Sequence, residues 1–242
     1  MKTILKSIYL GILCATFPAM AQQEDDTFAG NPDTKGTIVT QWEVTCEVFS
    51  LPLSQAARLK RSRWDEAKSY QEIVKWVKEG KATQEEFLVV RTLDGTNGLA
   101  EEITERIYPT EFEPPELPTQ IGNLPEDLEN AKNMVTPATP SSFDTKNEGS
   151  TLEVEITLQN QGIPEVRLYL SLIKLLGRQK WGQGVAETEM ARFANQRINA
   201  VFKASPGQPV LVGTISPPAA LQPKDSEKQA WLAFVTVSEA KD

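Results

Sequence analysis

Two close pairs of carboxylates, Glu101–Glu102 and Glu111/Glu113, have the type and spacing that could do chemistry. A glycosidase needs no more than two such groups, one to give a proton and one to take a proton or attack. Both pairs fall in segments where glutamate belongs to the solvent face of a strand, and nothing in the adjoining sequence would raise a pKa. No histidine occurs in the 242 residues. That removes the commonest general base, the usual serine and cysteine triads and most transition-metal sites. "DGTNG" (94–98) has the composition of a tight turn rather than of a phosphate cradle. "EDDTFAGNPD" (24–33) does not match the ligand spacing of a calcium loop. The sequence therefore predicts no catalytic residue, no cofactor and no metal, and a protein that works by binding; a two-carboxylate carbohydrate enzyme is the least supported reading.

The chain must also reach a compartment. "MKTILKSIYLGILCATFPAMA" joins two lysines, an apolar run and a small-residue exit at Ala19-Met20-Ala21, the pattern of a secretory signal peptide cleaved after Ala21. The apolar run is too short to span a membrane as a helix. Cys14 follows Leu13, where lipoprotein processing needs a small residue. Cys46 is then the one cysteine left, so no intramolecular disulfide can form, although an exported protein could carry one. The formal net charge is −8 before Lys2 and Lys6 are removed. An acidic chain without a basic patch is a poor ligand for nucleic acid.

The elements that would hold these residues follow from periodicity. Residues 22–36 are polar with Gly and Pro and read as a disordered lead-in. "TIVTQWEVTCEVF" (37–49) puts Trp42, Val44, Cys46 and Val48 on one face and Glu43, Thr45 and Glu47 on the other, a half-buried strand with Cys46 inside. "LSQAARLKR" and "EAKSYQEIVKWVKEG" read as a short helical pair. The second carries Tyr70, Ile73, Val74 and Val77 on one face, with Trp76 off it and packing on a neighbour. "EEFLVVRTL" and "LAEEITERIY" flank "DGTNG" and read as a hairpin. "TLEVEITLQ" is the clearest strand, with Leu152, Val154, Ile156 and Leu158 inward; "EVRLYLSLIKLL" follows, and further strands are expected at 191–203, 209–216 and 230–238. The order, β-α-α-β-β, an insert, then five strands, makes an α+β chain dominated by antiparallel sheet.

The insert is residues 109–140, entered through "ERIYPTEFEPPELP". Proline has no N–H to donate, so Pro109, Pro114, Pro115 and Pro118 argue against continued pairing. Tyr108 and Phe112 stand at its entrance. Two readings are open for them: contact with a partner or a neighbouring subunit, or cover for the base of the sheet.

In this order, the segments resemble the C-terminal domain of secretins, the outer-membrane channel family of type II and type III secretion and type IV pilus systems. "VTCEVFSLPLSQA" and "VKEGKATQEEFLVVRTLDGTNGLAEE" resemble the family's opening strand and its helix before a "GKA"-type turn. "SFDTKNEGSTLEVEITL" resembles the family's "(F/T)xTxxxGxxLxVxP" strand, with Gly149 on the family glycine and Ile156 in place of proline. "RFANQRINAVFKASPGQPVLVGTI" resembles "xFxTRxxxTxVxVxDGQTVVLGGLI". Gly207 falls in its turn and Gly213 on the first of its paired glycines, while Thr214 replaces the second. "WLAFVTVSE" resembles the closing "LLIFVTP". The similarity runs over roughly 37–238.

What the resemblance implies is a secretin-like domain over 37–240, in the periplasm or outer membrane of a diderm bacterium. It would assemble with itself or with a full-length secretin, and meet other envelope secretion or pilus proteins. Two departures qualify it. The similarity starts near the cleavage site, without the family's periplasmic ring modules, and polar "SPPAALQPKDSEKQA" replaces its "VPLLGDIPxLGxLF" segment. The expectation is a divergent member that binds and assembles. The alternative is a soluble periplasmic or surface module that has kept the fold and lost the pore.

Overall fold

The computed structural model describes residues 40–62, 65–116, 135–159, 162–222 and 227–240. The expected signal peptide (1–21), the expected lead-in (22–36) and most of the helix-capable "LPEDLENAKNMV" lie outside them.

The alternation of Trp42, Val44, Cys46 and Val48 becomes β1 (Gln41–Pro52), and all four side chains are buried. Its other face is buried too where Phe49 and Leu51 meet the helices, so β1 is a central strand rather than a half-solvated one. Even Glu47, expected in solvent, is covered. Two helices follow, α1 (Leu53–Arg61) and α2 (Glu66–Lys78). Asp65 starts α2 by accepting a hydrogen bond from the Lys68 backbone N–H at 2.6 Å, which satisfies one of the helix's orphan donors. Ile73 and Trp76 are buried, and Arg58 of α1 lies 5.5 Å over the Trp76 ring, the neighbour expected for that off-face tryptophan.

The strands are β2 (Thr83–Leu93), β3 (Asn97–Glu113), β4 (Thr139–Leu158), β5 (Pro164–Trp181), β6 (Thr188–Lys203), β7 (Pro209–Ile215) and β8 (Gln229–Glu239). They form two antiparallel four-stranded sheets, ordered β2-β1-β8-β7 and β3-β4-β5-β6. The architecture is the expected α+β, mostly antiparallel, with a helical pair near the N-terminus. One core packs sheet on sheet, through Trp42, Val44, Cys46 and Val48 against Leu152, Val154, Ile156, Val166, Leu168 and Leu170. A second core packs the helices on the opposite face of the first sheet, through Leu59, Ile73 and Trp76 against Phe49, Leu232 and Phe234. The order of layers is helices, first sheet, second sheet.

The hairpin expected between β2 and β3 is not formed, because the two strands belong to different sheets. "DGTNG" turns the chain from one layer into the other. Two of its bonds go to the end of β4: Gly95 N–H donates to the Ile156 carbonyl at 2.7 Å, and Asp94 Oδ1 accepts from Leu158 N–H at 2.7 Å. Gly95 has φ of 74°, which suits glycine. That corner leaves Leu158 exposed rather than in the core.

β3 also continues through Pro109 to Glu113, against the expectation that proline ends it. Two irregularities in register, at Pro109/Glu111 and Glu111/Phe112, absorb the change, and β3 lies at a sheet edge where a missing N–H costs no ladder bond on the free side. The described excursion thus leaves the sheet after Glu113, and Glu116 and Thr136 still exchange backbone bonds of 3.2 and 2.9 Å across its base. Residues 117–134 lie outside the described set.

Candidate functional site

The second sheet carries the candidate site. β4 and β5 pair only from Gly149–Leu158 to Pro164–Ile173. Past Gly149 and Ile173 they part. The β3–β4 ladder runs on to Glu113/Thr139 and the β5–β6 ladder to Trp181/Thr188, giving two ribbons. Gly149 sits at the fork with φ of 139°, and a Cβ there would run into the Glu102 carbonyl. A side chain at this position is therefore excluded twice, by backbone conformation and by space.

The ribbons touch each other. Tyr108 of β3 packs on Phe193 of β6 with ring centroids 5.3 Å apart and the rings tilted by 57°, and its hydroxyl donates to Asp144 Oδ2 at 3.3 Å. Partial burial and the Asp144 charge push the Tyr108 pKa up. Glu148 accepts from the Leu175 backbone N–H at 2.8 Å and from Arg106 Nε at 2.7 Å, which joins β3, β4 and β5. The Leu175 N–H first, and then Arg106, hold its carboxyl below the usual range. Ala138 N–H donates to the Val185 carbonyl at 2.8 Å. Between the ribbons lies a cavity of about 460 Å³ lined by Tyr108, Phe112 and Phe193 among others. Tyr108 is thus engaged inside the molecule, and Phe112 is half-buried beside it.

The other two glycines singled out by the resemblance lie elsewhere. Gly207, at φ of 76°, turns β6 into β7 and donates to the Val237 carbonyl at 2.7 Å. Gly213 lies in β7 where a Cβ would meet the Ile198 side chain at 3.0–3.3 Å, so its bareness lets the two sheets approach. Neither glycine belongs to the ribbon fork.

Glu101, Glu102, Glu111 and Glu113 are all exposed on β3, and Glu101 accepts from the Thr151 hydroxyl at 3.0 Å. Among the described residues no cluster of three His, Cys, Asp or Glu could hold a metal ion. Cys46 is buried and unpaired, and burial pushes its thiol up to about 12. Sequence reasoning missed a buried carboxylate: Glu47 accepts from the Tyr70 hydroxyl at 2.6 Å and from Gln84 Nε2 at 3.0 Å. The signal was available, because a tyrosine on an apolar helix face needs a partner for its hydroxyl. Burial and the Glu47 bond raise Tyr70 to about 12.

No protein-family model matches the chain, and no curated protein matches it in sequence. Among solved structures, similar chain paths occur in several secretins. The type II secretin GspD of enteropathogenic Escherichia coli is 9% identical with a TM-score of 0.43, the match covering 85% of this chain and 71% of that one. The Salmonella SPI-1 type III injectisome secretin InvG is 10% identical with a TM-score of 0.42, covering 85% and 66%. The V. cholerae type IV competence pilus secretin PilQ is 13% identical with a TM-score of 0.45, covering 85% and 62%.

Proposed function

We propose that the protein is an exported, secretin-like component of a bacterial secretion or type IV pilus system in the outer envelope. It acts by assembling through its strand edges and by binding envelope partners, a full-length secretin among them, rather than by catalysis. The observation that supports this reading is the pair of long open edges, β3 of 17 residues and β6 of 16. Each offers a row of backbone donors and acceptors on its free side, which invites another chain. Their charges are complementary: β3 carries Glu101, Glu102, Glu105, Glu111 and Glu113 against Arg106, and β6 carries Arg192, Arg197 and Lys203 against Glu189. Pairing β3 with β6 of the next copy places opposite charges near one another, whereas pairing β3 with β3 sets glutamate against glutamate.

A second reading, a module that keeps the fold without a pore, is favoured by the outer face of the second sheet. A strand crossing a bilayer shows lipid an apolar band. Here exposed Leu99, Ile103 and Ile107 alternate with exposed Glu101 and Glu105 along β3, and Glu153 and exposed Arg167 share the same face. "SPPAALQPKDSEKQA" is equally polar. The protein alone is therefore expected not to hold an open channel. The test combines conductance recording in lipid bilayers, sizing in buffer and in detergent, and recovery of partners from envelope extract with the intact chain and with 114–138 deleted. Large steady conductance from the protein alone would overturn the poreless state. A monomer under all conditions that recovers no envelope protein would overturn assembly. Unchanged recovery after deletion would remove 114–138 from partner docking, and unchanged recovery with Tyr108→Ala and Phe112→Ala would remove those two side chains.

A further inference from the structure

We propose that the slot between α1 and the strands β7 and β8 holds one acyl chain of a zwitterionic amine phospholipid, with the lipid's phosphate at Lys60 and its ammonium at Glu66. Such a lipid belongs to a cell envelope, so the site rests on the envelope location proposed above and adds a ligand to it.

The slot follows from small residues on one helical face. Leu53, Ala56, Ala57 and Lys60 recur at i, i+3, i+4 and i+7 of α1 and form one wall. The two alanines, with Ala230 on β8, leave space that larger side chains would fill. Leu211 of β7 and Leu232 and Phe234 of β8 make the floor, and Glu66 and Ser69 from the first turn of α2 make the other wall. The slot measures about 620 Å³, within the range of sites that take small molecules. Leu232 and Phe234 are almost wholly buried at its bottom, while Leu53 at the rim is 46% exposed. Along its floor the slot offers carbon rather than hydrogen-bonding groups, so a hydrocarbon chain complements it better than a sugar or a nucleotide does.

The rim selects the head of that chain, because it carries opposite charges. Lys60 is exposed and Glu66 half-buried, and among the described residues neither has an ion-pair partner. A fatty acid satisfies Lys60 but meets Glu66 with like charge, and a cationic amphiphile does the reverse. A head with both a phosphate and a primary ammonium meets the two together. The Ser69 and Thr214 hydroxyls belong to the same lining and can donate to phosphate oxygens.

The test is native mass spectrometry and calorimetry on the purified mature chain. The probe is palmitoyl lysophosphatidylethanolamine, kept below its micelle-forming concentration, and palmitate is the comparison. Wild type is expected to take one lysophospholipid per chain. Ala57→Trp puts a large ring into the slot and is expected to weaken binding at least about tenfold. Ala56→Leu, on the same wall, replaces it should urea melts show that Ala57→Trp has lost the fold. Lys60→Gln is expected to weaken both ligands about threefold, as loss of one exposed charge pair requires. Glu66→Gln is expected to weaken the lysophospholipid by a similar factor and to tighten palmitate, an opposition of sign that a merely structural role does not produce. No binding to wild type, or binding unchanged when the slot is filled, would overturn the site. Equal responses of the two ligands to Glu66→Gln would overturn the head-group assignment. These measurements need no partner and no assembly, so their failure leaves the secretin-like reading standing. A chain that holds the lipid, stays monomeric and recovers no envelope protein would overturn that reading alone.

Discussion

β4 and β5 each live in two physical regimes, and Gly149 marks the border. Below it, Leu152, Ile156, Leu168 and Leu170 are fully buried between the sheets. Beyond it, the same two strands carry Phe143 at 59% and Trp181 at 53% exposure. The base is held by removal of apolar surface from water, a term of about 1.5–3 kcal/mol per large side chain. The ribbons are held by ladders, one aromatic contact and exposed ion pairs such as Lys180–Glu187 at 2.6 Å and Arg178–Glu189 at 3.3 Å. Pairs of that kind are worth about 0–1 kcal/mol each. One covalent strand thus joins a stable layer to a region that opens more easily and gains more from a neighbour.

The sharpest way to break the comparison is to place a charge in the base. Ile156→Asp puts a carboxylate among Leu152, Val154 and Val166 and is expected to cost several kcal/mol, on the order of 3–5. Glu155→Lys, one residue away on the outer face, loses the 3.2 Å pair with Arg167 and sets two cations together. It is expected to cost about 0.5–1 kcal/mol. Equal losses in urea melts would mean that the faces of β4 are wrongly assigned.

The border itself comes next. Gly149→Ala forces a Cβ toward the Glu102 carbonyl at a backbone angle that suits glycine, and is expected to cost about 1–3 kcal/mol. Hydrogen exchange should place the loss at the β3–β4 ladder around Ile103 and Ser150. A melting temperature equal to wild type would show that the fork tolerates a side chain.

The regimes also explain what the sequence could reveal. Trp42, Val44, Cys46 and Val48, and Val166 through Leu172, alternate because one face is buried, so their strands and inward residues were legible. "TPSSFDTKNEG" forms the first half of β4 without burying a face, so it carries no period; its first two residues fall in the expected insert, and "SFDTKNEG" is legible as strand only through the resemblance. "DGTNG" specifies a reversal but not the strand that the chain pairs with next, hence the hairpin that did not form. Pro109 argues against a central strand, and the edge position that admits it is a property of the whole sheet. For the site, the glycine at the fork and the two aromatics were identifiable by type and place. The contact of Tyr108 with Phe193, more than eighty residues away, needed the fold.

Within the ribbons, Tyr108→Ala removes the tilted ring contact with Phe193 and the bond to Asp144, a loss of about 0.5–1.5 kcal/mol. The base does not depend on it. Amide exchange is therefore expected to rise at Asp144 and Phe193 and to stay unchanged at Cys46 and Val235. Uniformly faster exchange would mean that base and ribbons unfold as one unit and that the border at Gly149 has no energetic meaning.

The smallest expected effect is a pH dependence confined to the ribbons. Glu148 faces Arg106 from β3, Lys174 from β5 and the Leu175 N–H, and its carboxyl is held below the usual glutamate range of about 4.3. A depressed folded value means that the unfolded chain takes up the proton first. The contribution is therefore fully present above the ordinary range and is lost as pH falls through the lowered value. Glu148→Gln keeps an acceptor for Leu175 but gives up the 2.7 Å ion pair with Arg106. At neutral pH the variant should lose about 1 kcal/mol or less, because Arg106 is half-exposed. Exchange of the Leu175 amide reads the effect locally. Wild type should protect it better than Glu148→Gln at pH 7, and the difference should shrink as pH is lowered below about 4. A difference that stays constant to low pH would assign the link to packing rather than charge.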